Sequence, residues 1–247
     1  MSKHFELMQQ IEKERVFDAG PDASVTVAAR NGNHVDSRSE WASEEALRLV
    51  QQIFVLQAHE PPQVVVFAGI DHGNGCSQIC ASVAETLARN GRGRVCLVEA
   101  NFRSPALPEM FGVPNHFGLT EALLREGPVD SFAKPLRQEN LWLLSSGTVA
   151  VDSPSLLATE HLLVRVNELR LQFDFVIIDA PPLTRYPDAI ALGRLSDGLV
   201  MVIEADSTRR EAAAAVAENL RTAKVLILAA VLNKRTFPIP EKIYSWL

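Results

Sequence analysis

The 247-residue chain has few cysteines and aromatic residues, little net charge, and no long hydrophobic run. Three cysteines without a paired framework exclude a fold held by disulfides and are typical of a reducing compartment. A net charge of −6 argues against non-specific electrostatic binding to nucleic acid. The longest apolar runs, such as 225–232, have the length of strands, and residues 1–6 lack the apolar core of a secretion signal. We therefore expect a cytoplasmic protein that neither crosses a membrane nor binds nucleic acid.

The chain divides into two regions of different composition. Residues 1–42 predict a short amphipathic helix over 3–15, followed by a mobile linker over 18–40 that is rich in Gly, Pro, Asn and Ser. The helix either packs on its own domain or docks on a partner. A second helix is predicted from residue 43 or 44 to residue 57, where two prolines end it. Residues 43–247 are then one α/β domain.

From residue 63 onward, apolar strands alternate with amphipathic helices. Strands are predicted over 64–68, 94–99, 141–144, 175–179, 198–204 and 225–232, and helices over 77–89, 119–125, 155–171, 188–195 and 208–223. Most of these strands are continuous apolar runs, which is typical of strands buried on both faces of a parallel sheet. The sequence thus predicts an α/β fold with a doubly wound, mostly parallel sheet flanked by helices. In such a fold, ligands bind at the carboxyl ends of the strands.

A phosphate-binding loop without its lysine follows the first of these strands. Gly73 and Gly75, with Asn74 between them, let the backbone approach a phosphate at the start of the next helix. Ser77 stands where a hydroxyl would hold Mg²⁺. Cys76 occupies the position that normally supplies a lysine ammonium to the phosphates. The loop therefore has the architecture of a nucleotide switch without its usual charge.

Three interpretations of Cys76 are open. A thiol at a helix N-terminus should have a lowered pKa, which would make it redox-sensitive. Alternatively, His72, Cys76 and Cys80 are spaced one helical turn apart and could bind a metal. The third interpretation is a small residue that closes a vacated phosphate pocket, with Cys80 buried on the helix. We favour the third, because three ligands on one segment fall short of a tetrahedral set.

Polar residues also follow two other strands. Asp179 ends a wholly apolar strand and precedes Ala-Pro-Pro, a position from which a carboxylate can hold Mg²⁺ directly or through water. Its alternative role is that of a turn or helix-capping residue. Glu99 and Asn101 lie two apart at another strand end, so both could reach a metal or an attacking hydroxyl, or serve as turn residues.

Together these segments resemble the bacterial tyrosine kinase family of the MinD/ParA-like P-loop NTPase superfamily. The resemblance covers about residues 43–235 and is carried by residues 72–77, 99–103 and 179–182, with the lysine and two acidic positions changed. It implies three sets of site residues: catalytic Asp179, Glu99, Asn101 and Arg103; nucleotide-binding Gly73, Asn74, Gly75, Cys76, Ser77 and Asn233; and metal-binding Ser77 and Asp179.

The resemblance also implies contacts between subunits and a set of partners. Glu45 and Arg48 match part of the family's oligomer motif, so a homo-oligomer is expected, whereas the family's C-terminal tyrosine cluster is absent. The implied function is that of a cytoplasmic regulator of capsule or exopolysaccharide synthesis and export. It would bind ATP or ADP with Mg²⁺ weakly, be weak or inactive as a kinase, and act through a separate membrane chain-length-determinant (co-polymerase) protein.

Two other functions stay open. One is an active ATP-dependent tyrosine autokinase in which Arg103, Arg185 or Lys234 replaces the missing lysine. The other is a partition or site-determining ATPase of the ParA/MinD type. Members of that type carry a further lysine early in the loop, and Asp71 stands at that position here.

Overall fold

The structure is a computed structural model that describes residues 24–29, 35–56, 61–90, 93–148, 156–157 and 160–235. Its strands are β1 (Ser24–Ala29), β2 (Val64–Gly69), β3 (Val95–Glu99), β4 (Lys134–Pro135), β5 (Leu141–Leu144), β6 (Phe175–Ala180), β7 (Gly198–Glu204) and β8 (Ile227–Arg235). Its helices are α1 (Val35–Phe54), α2 (Cys76–Arg89), α3 (Leu107–Met110), α4 (Leu119–Leu124), α5 (Glu160–Gln172), α6 (Asp188–Gly193) and α7 (Arg210–Thr222), with a 3₁₀ turn at Val129–Phe132. The helix predicted over 3–15 lies outside the described residues.

All the strands form one sheet in the order β1-β8-β7-β2-β6-β3-β5-β4. Every pairing is parallel except that of the two-residue β4 with β5. The chain moves from β2 outward to β3 and β5, then returns through β6 and crosses to β7 and β8 on the other side. This confirms the predicted doubly wound sheet and places the reversal of strand order beside β2 and β6.

Both faces of the sheet are covered by helices, which explains the continuous apolar strands. Every residue of β2 and β3 is buried. On one face of the sheet, Phe67 and Leu97 pack with apolar residues of α1 and α2. On the other face, Val66 and Val98 pack with apolar residues of α5 and α7. Strands enclosed in this way need apolar side chains at successive positions. Within the described ranges, no helix combines the length and the apolar character needed to cross a membrane.

The N-terminal region differs from the prediction. β1 lies inside the segment predicted to be a mobile linker and pairs in parallel with β8, while α1 begins at Val35, so the predicted boundary after residue 42 falls within a helix. The linker prediction is therefore wrong for these residues. The linker prediction relied on the glycines, prolines and asparagines on either side of a short Val-Thr-Val sequence. This sequence favours a strand only weakly by itself, and it forms one because it can pair with the edge of β8.

Candidate functional site

A cavity of 260 Å³ opens at the carboxyl ends of β2, β3 and β6. Its lining includes residues 73–77 of the phosphate loop, Asn101 after β3 and Asp179 at the end of β6, so three segments singled out in the sequence meet there. Pockets for whole small molecules usually exceed about 300 Å³. The space therefore suits a phosphate group or a hydrated cation better than an entire nucleotide.

The phosphate loop needs glycine at two positions. Gly73 and Gly75 have φ angles of 86° and 83°, in the left-handed region that side chains other than glycine rarely adopt. Gly75 is also the residue before the first turn of α2, and a Cβ atom there would lie 2.4 Å from Nδ2 of Asn233. The loop is thus closely packed against β8.

Side chains from β7 and β8 hold this loop from the side away from β6. Asn233 donates a hydrogen bond of 2.7 Å from Nδ2 to the carbonyl of Asn74, whose own amide donates to Glu204 at 3.2 Å. The Lys234 ammonium donates to the carbonyl of Gly73 at 2.7 Å and pairs with Glu204 at 3.2 Å. The Asn233 amide therefore braces the loop, and its contact with a base stays a prediction. Sequence spacing gave no signal for Glu204.

Glu99 lies beneath the loop after β3 rather than in the cavity. It is fully buried, and its carboxylate accepts three backbone hydrogen bonds, from Asn101 at 3.1 Å, Ala106 at 2.8 Å and Leu107 at 3.0 Å. The last two donors are at the start of α3. This network fixes the course of the loop and gives Glu99 a structural role, whereas Asn101 itself faces the cavity.

Arg103 does not line the cavity. Its guanidinium forms an ion pair with the nearly buried Asp188 at the start of α6, and it stacks on the Tyr186 ring with its central carbon 3.8 Å from the ring centroid. These contacts join the loop after β3 to the segment after β6. A role for Arg103 in catalysis stays a prediction.

Asp179 has the opposite environment to that of Glu99. It is 1% exposed and receives no backbone hydrogen bond; the Ser77 hydroxyl and the two thiols lie near its oxygens without reaching full hydrogen-bond geometry. It lies beside Glu99 in the parallel register of β3 and β6. Burial raises the pKa of Asp179 to about 6, moderated by the nearby Ser77 hydroxyl and two thiols. Burial and the Asp179 charge raise the pKa of Glu99 to about 8, although its backbone donors oppose the rise.

Two thiols stand against Asp179. The Sγ atoms of Cys76 and Cys80 and a carboxylate oxygen of Asp179 all lie within 4.8 Å of one another. The predicted lowered pKa of Cys76 is wrong: a hydrogen bond with Cys80 lowers it, but burial and the Asp179 and Glu99 carboxyls raise it to about 12. Exposed His72 lines the cavity but does not belong to this group. The spacing of the cysteines could be read from the sequence, but Asp179 as the third member could not.

A divalent cation fits this arrangement. Asp179 offers two buried oxygens without donors, and Ser77 offers a hydroxyl close to them. The loop backbone between Gly73 and Ser77 could cradle phosphate oxygens, as the sequence predicts. No Lys or Arg lines the cavity in the part of the chain that the structure describes. The site therefore suits Mg²⁺ with a phosphate but lacks the usual cationic side chain.

The predicted oligomer residues lie on α1. Arg48 and Glu45 form an ion pair of 3.1 Å with each other, and the Arg48 side chain is 63% exposed. An exposed arginine paired within its own helix remains accessible to another chain. The oligomer contact stays a prediction.

Comparison with known proteins identifies related chains. No family model matches. The chain is 32% identical over 161 residues to tyrosine-protein kinase YwqD of Bacillus subtilis, covering 65% of this chain and 68% of that one. It is 26% identical over 199 residues to the putative tyrosine-protein kinase CapB of Staphylococcus aureus, with 81% and 87% covered. It also matches 22% of the succinoglycan biosynthesis transport protein ExoP of Rhizobium meliloti, at 28% identity over 70% of this chain.

Solved structures share the fold. The chimerical protein CapA2B2 has a TM-score of 0.75 at 21% identity, with 87% of this chain and 96% of that chain covered. The septum site-determining protein MinD of Pyrococcus horikoshii, complexed with Mg-ADP, has a TM-score of 0.59 at 18% identity, with 69% of each chain covered. These similarities concern the P-loop architecture of the sheet and its helices.

Proposed function

The chain belongs to the family of bacterial tyrosine kinases, and from that premise we propose that it is a kinase-like regulator of exopolysaccharide or capsule synthesis and export. In this proposal it has little or no kinase activity of its own. It works in the cytoplasm, at the inner membrane, through a separate membrane protein of the chain-length-determinant type. Its relative ExoP is a succinoglycan biosynthesis transport protein, and this supports the pathway class.

The observation that carries the proposal is the missing cation of the phosphate loop. Cys76 occupies the lysine position, and none of the three basic residues named above as possible replacements lines the cavity. Lys234 is held by the Gly73 carbonyl and Glu204, Arg103 is held by Asp188, and Arg185 is exposed beyond the cavity lining. Phosphoryl transfer depends almost entirely on positioning and on stabilising charge. A loop without its cation therefore supports weak nucleotide binding and poor transfer.

The acceptor residues of an autokinase are also few. The whole sequence has two tyrosines, Tyr186 and Tyr244. Tyr186 is partly buried beneath the Arg103 guanidinium, which limits its access to a second molecule. This supports a regulator that responds to nucleotide or to a partner rather than one that phosphorylates its own tail.

Incubation of the full chain with labelled ATP and Mg²⁺ tests the proposal. We expect no label on tyrosine. The Cys76→Lys variant should bind ATP·Mg²⁺ about 10- to 100-fold more tightly in calorimetry, because a hydrogen bond to a charged group contributes about 1.5–3 kcal/mol. It should not gain full catalysis, since Glu99 and Asn101 remain in place of the acidic pair. Cys76→Met is the matched control, because it adds length without charge.

Two results would contradict the proposal. Strong labelling of Tyr186 or Tyr244 in the parent chain would favour the active autokinase. Capture of a septum- or DNA-positioning partner, instead of a membrane protein of polysaccharide export, would favour a ParA/MinD-type ATPase. If Cys76→Lys folds normally but binds ATP no better than Cys76→Met, the loop no longer serves as a nucleotide site.

A further inference from the structure

The thiols of Cys76 and Cys80 and the carboxylate of Asp179 form a compact group at one end of the cavity, which we call the thiol–carboxylate cluster. We propose that this cluster binds one thiophilic divalent metal ion of the zinc type. Two thiolates and one carboxylate oxygen would be its protein ligands. The fourth position would open toward the cavity. This inference goes beyond the proposed function and does not rest on it.

The fold brings the three ligands together from two elements. Residues 76 and 80 are four apart on α2 and therefore project from the same face of that helix. That face meets the end of β6, where Asp179 closes the third side, so all three ligand atoms lie within 4.8 Å of one another. Zinc–sulfur bonds of about 2.3 Å and zinc–oxygen bonds of about 2.0–2.2 Å place the ligand atoms of a tetrahedral site about 3.5–3.8 Å apart, so the three side chains need only close in slightly to share one ion.

The unpartnered state of Asp179 points independently to a cation. Its oxygens are buried, receive no backbone hydrogen bond, have only the Ser77 hydroxyl and the two thiols as polar neighbours, and lie beside a second buried carboxyl, that of Glu99. A buried carboxylate in this position is costly unless a cation or donor offsets its charge. None of the ion pairs that the structure describes includes Asp179. A bound metal ion would offset the negative charge of the Asp179 carboxylate and reduce its repulsion from Glu99.

The ligand chemistry selects the metal. Thiolates favour zinc and other soft ions, whereas Mg²⁺ prefers oxygen ligands and keeps several waters. Three protein ligands with one open position is the arrangement of accessible zinc sites rather than of closed structural ones. The cavity supplies the route of entry, because Cys76 and Asp179 both line it while Cys80 lies buried behind them.

Binding also has a definite proton balance. The ion replaces the protons of both thiols, and that of Asp179 when it is protonated, and these protons pass to the solvent. Two thiolates and one carboxylate then give the bound dication a net charge of −1. Metal affinity should consequently rise with pH. An ion at this position also occupies the Asp179 carboxylate that Mg²⁺ would need beside a nucleotide.

Titration of the reduced full chain with Co²⁺ tests the inference. The protein is kept in a non-thiol reductant and freed of metal by a chelator that is then removed. We expect one Co²⁺ per chain, with the near-ultraviolet thiolate-to-cobalt absorption and the visible bands of a tetrahedral site, and we expect Zn²⁺ to displace it. Excess Mg²⁺ should leave the spectrum unchanged.

Single substitutions identify the ligands. Cys76→Ala and Cys80→Ala should each weaken Co²⁺ binding by about 100-fold or more and reduce the thiolate absorption, since loss of a ligand exceeds the 10- to 100-fold effect of an outer-shell change. Asp179→Asn should retain the thiolate absorption with weaker affinity. Cys96→Ala is the matched control, because Cys96 is a buried cysteine on the opposite face of the sheet, and it should bind like the parent.

The inference fails if the parent shows no thiolate absorption, or if Cys76→Ala binds Co²⁺ as tightly as Cys96→Ala does. Cys80 is fully buried, so its variant requires an unfolding curve as a folding control. Cys76 is only partly buried, and Cys76→Ala is expected to fold even if Cys80→Ala does not. The cobalt spectrum of Cys76→Ala then decides alone.

Discussion

The ends of β3 and β6 carry two carboxylates side by side with opposite surroundings. Glu99 is fully buried and accepts three backbone hydrogen bonds, whereas Asp179 is almost as deeply buried and accepts none from the backbone. The two residues occupy matching places in the parallel register and give similar signals in the sequence. The difference teaches that the number of donors around a carboxylate, rather than its place at a strand end, separates a structural acid from one free to bind a cation.

Removal of the Glu99 carboxylate should have the largest effect on stability. Glu99→Ala leaves three buried backbone N–H groups without an acceptor, and each such group costs about 1–3 kcal/mol. We expect the free energy of unfolding to fall by about 3 kcal/mol or more in urea titrations at pH 5. Asp179→Ala is the matched control and should lose much less, because no backbone N–H depends on that carboxylate. Equal losses in the two variants would contradict the distinction.

The pH dependence of stability should separate the same two residues. Both carboxyls have raised pKa values, about 6 for Asp179 and about 8 for Glu99, so the folded chain holds their protons more tightly than the unfolded chain does. This contribution is complete below about pH 4 and is lost as the pH rises through these values. For the metal-free protein in chelator, stability should therefore fall between pH 5 and pH 8.

The Asp179→Asn variant sharpens this test. It removes one titrating group and the repulsion that acts on Glu99, so the fall in stability between pH 5 and pH 8 should be smaller by about 1–2 kcal/mol than in the parent. Urea unfolding midpoints at three pH values measure the difference. A parent and variant with parallel pH profiles would show that Asp179 does not titrate in this range.

A smaller effect is expected in the loop that follows β3. Arg103→Gln removes the ion pair with Asp188 and the stacking on Tyr186, contacts that are partly exposed and together contribute about 1 kcal/mol. ATP·Mg²⁺ affinity should stay unchanged if Arg103 only joins the two loops. A loss of nucleotide affinity without a loss of stability would instead restore the catalytic role predicted from the sequence.

Much of the fold could be predicted because its strands are enclosed on both faces. Their continuous apolar runs and the turn residues between them gave the bounds of these six strands to within about three residues, and parallel strands required the helices that follow them. β1 could not be found in this way. A six-residue edge strand carries little apolar signal of its own, and its partner β8 is about 200 residues away along the chain.

The position of the candidate site could be predicted from the sequence, but the contacts of its side chains could not. Because the phosphate loop, Asn101 and Asp179 follow or end predicted parallel strands, they were expected to converge, and all three line the cavity. The ion pair of Arg103 with Asp188 depends on a contact 85 residues apart, for which spacing gives no signal. Likewise, the lowered pKa expected for Cys76 took account of the helix N-terminus but not of the carboxyls of Asp179 and Glu99, which act in the opposite direction.

The packing of Asn233 against Gly75 has an evolutionary consequence. Because β8 holds the loop through the backbone of residues 73 and 74, and because only glycine fits at 75, the shape of the loop is set without any contribution from the side chain at 76. A lineage could thus exchange lysine for cysteine at position 76 and keep the loop. Position 76 is then open to substitution, whereas Gly75 is fixed both by its left-handed φ angle and by the nearby Asn233 side chain.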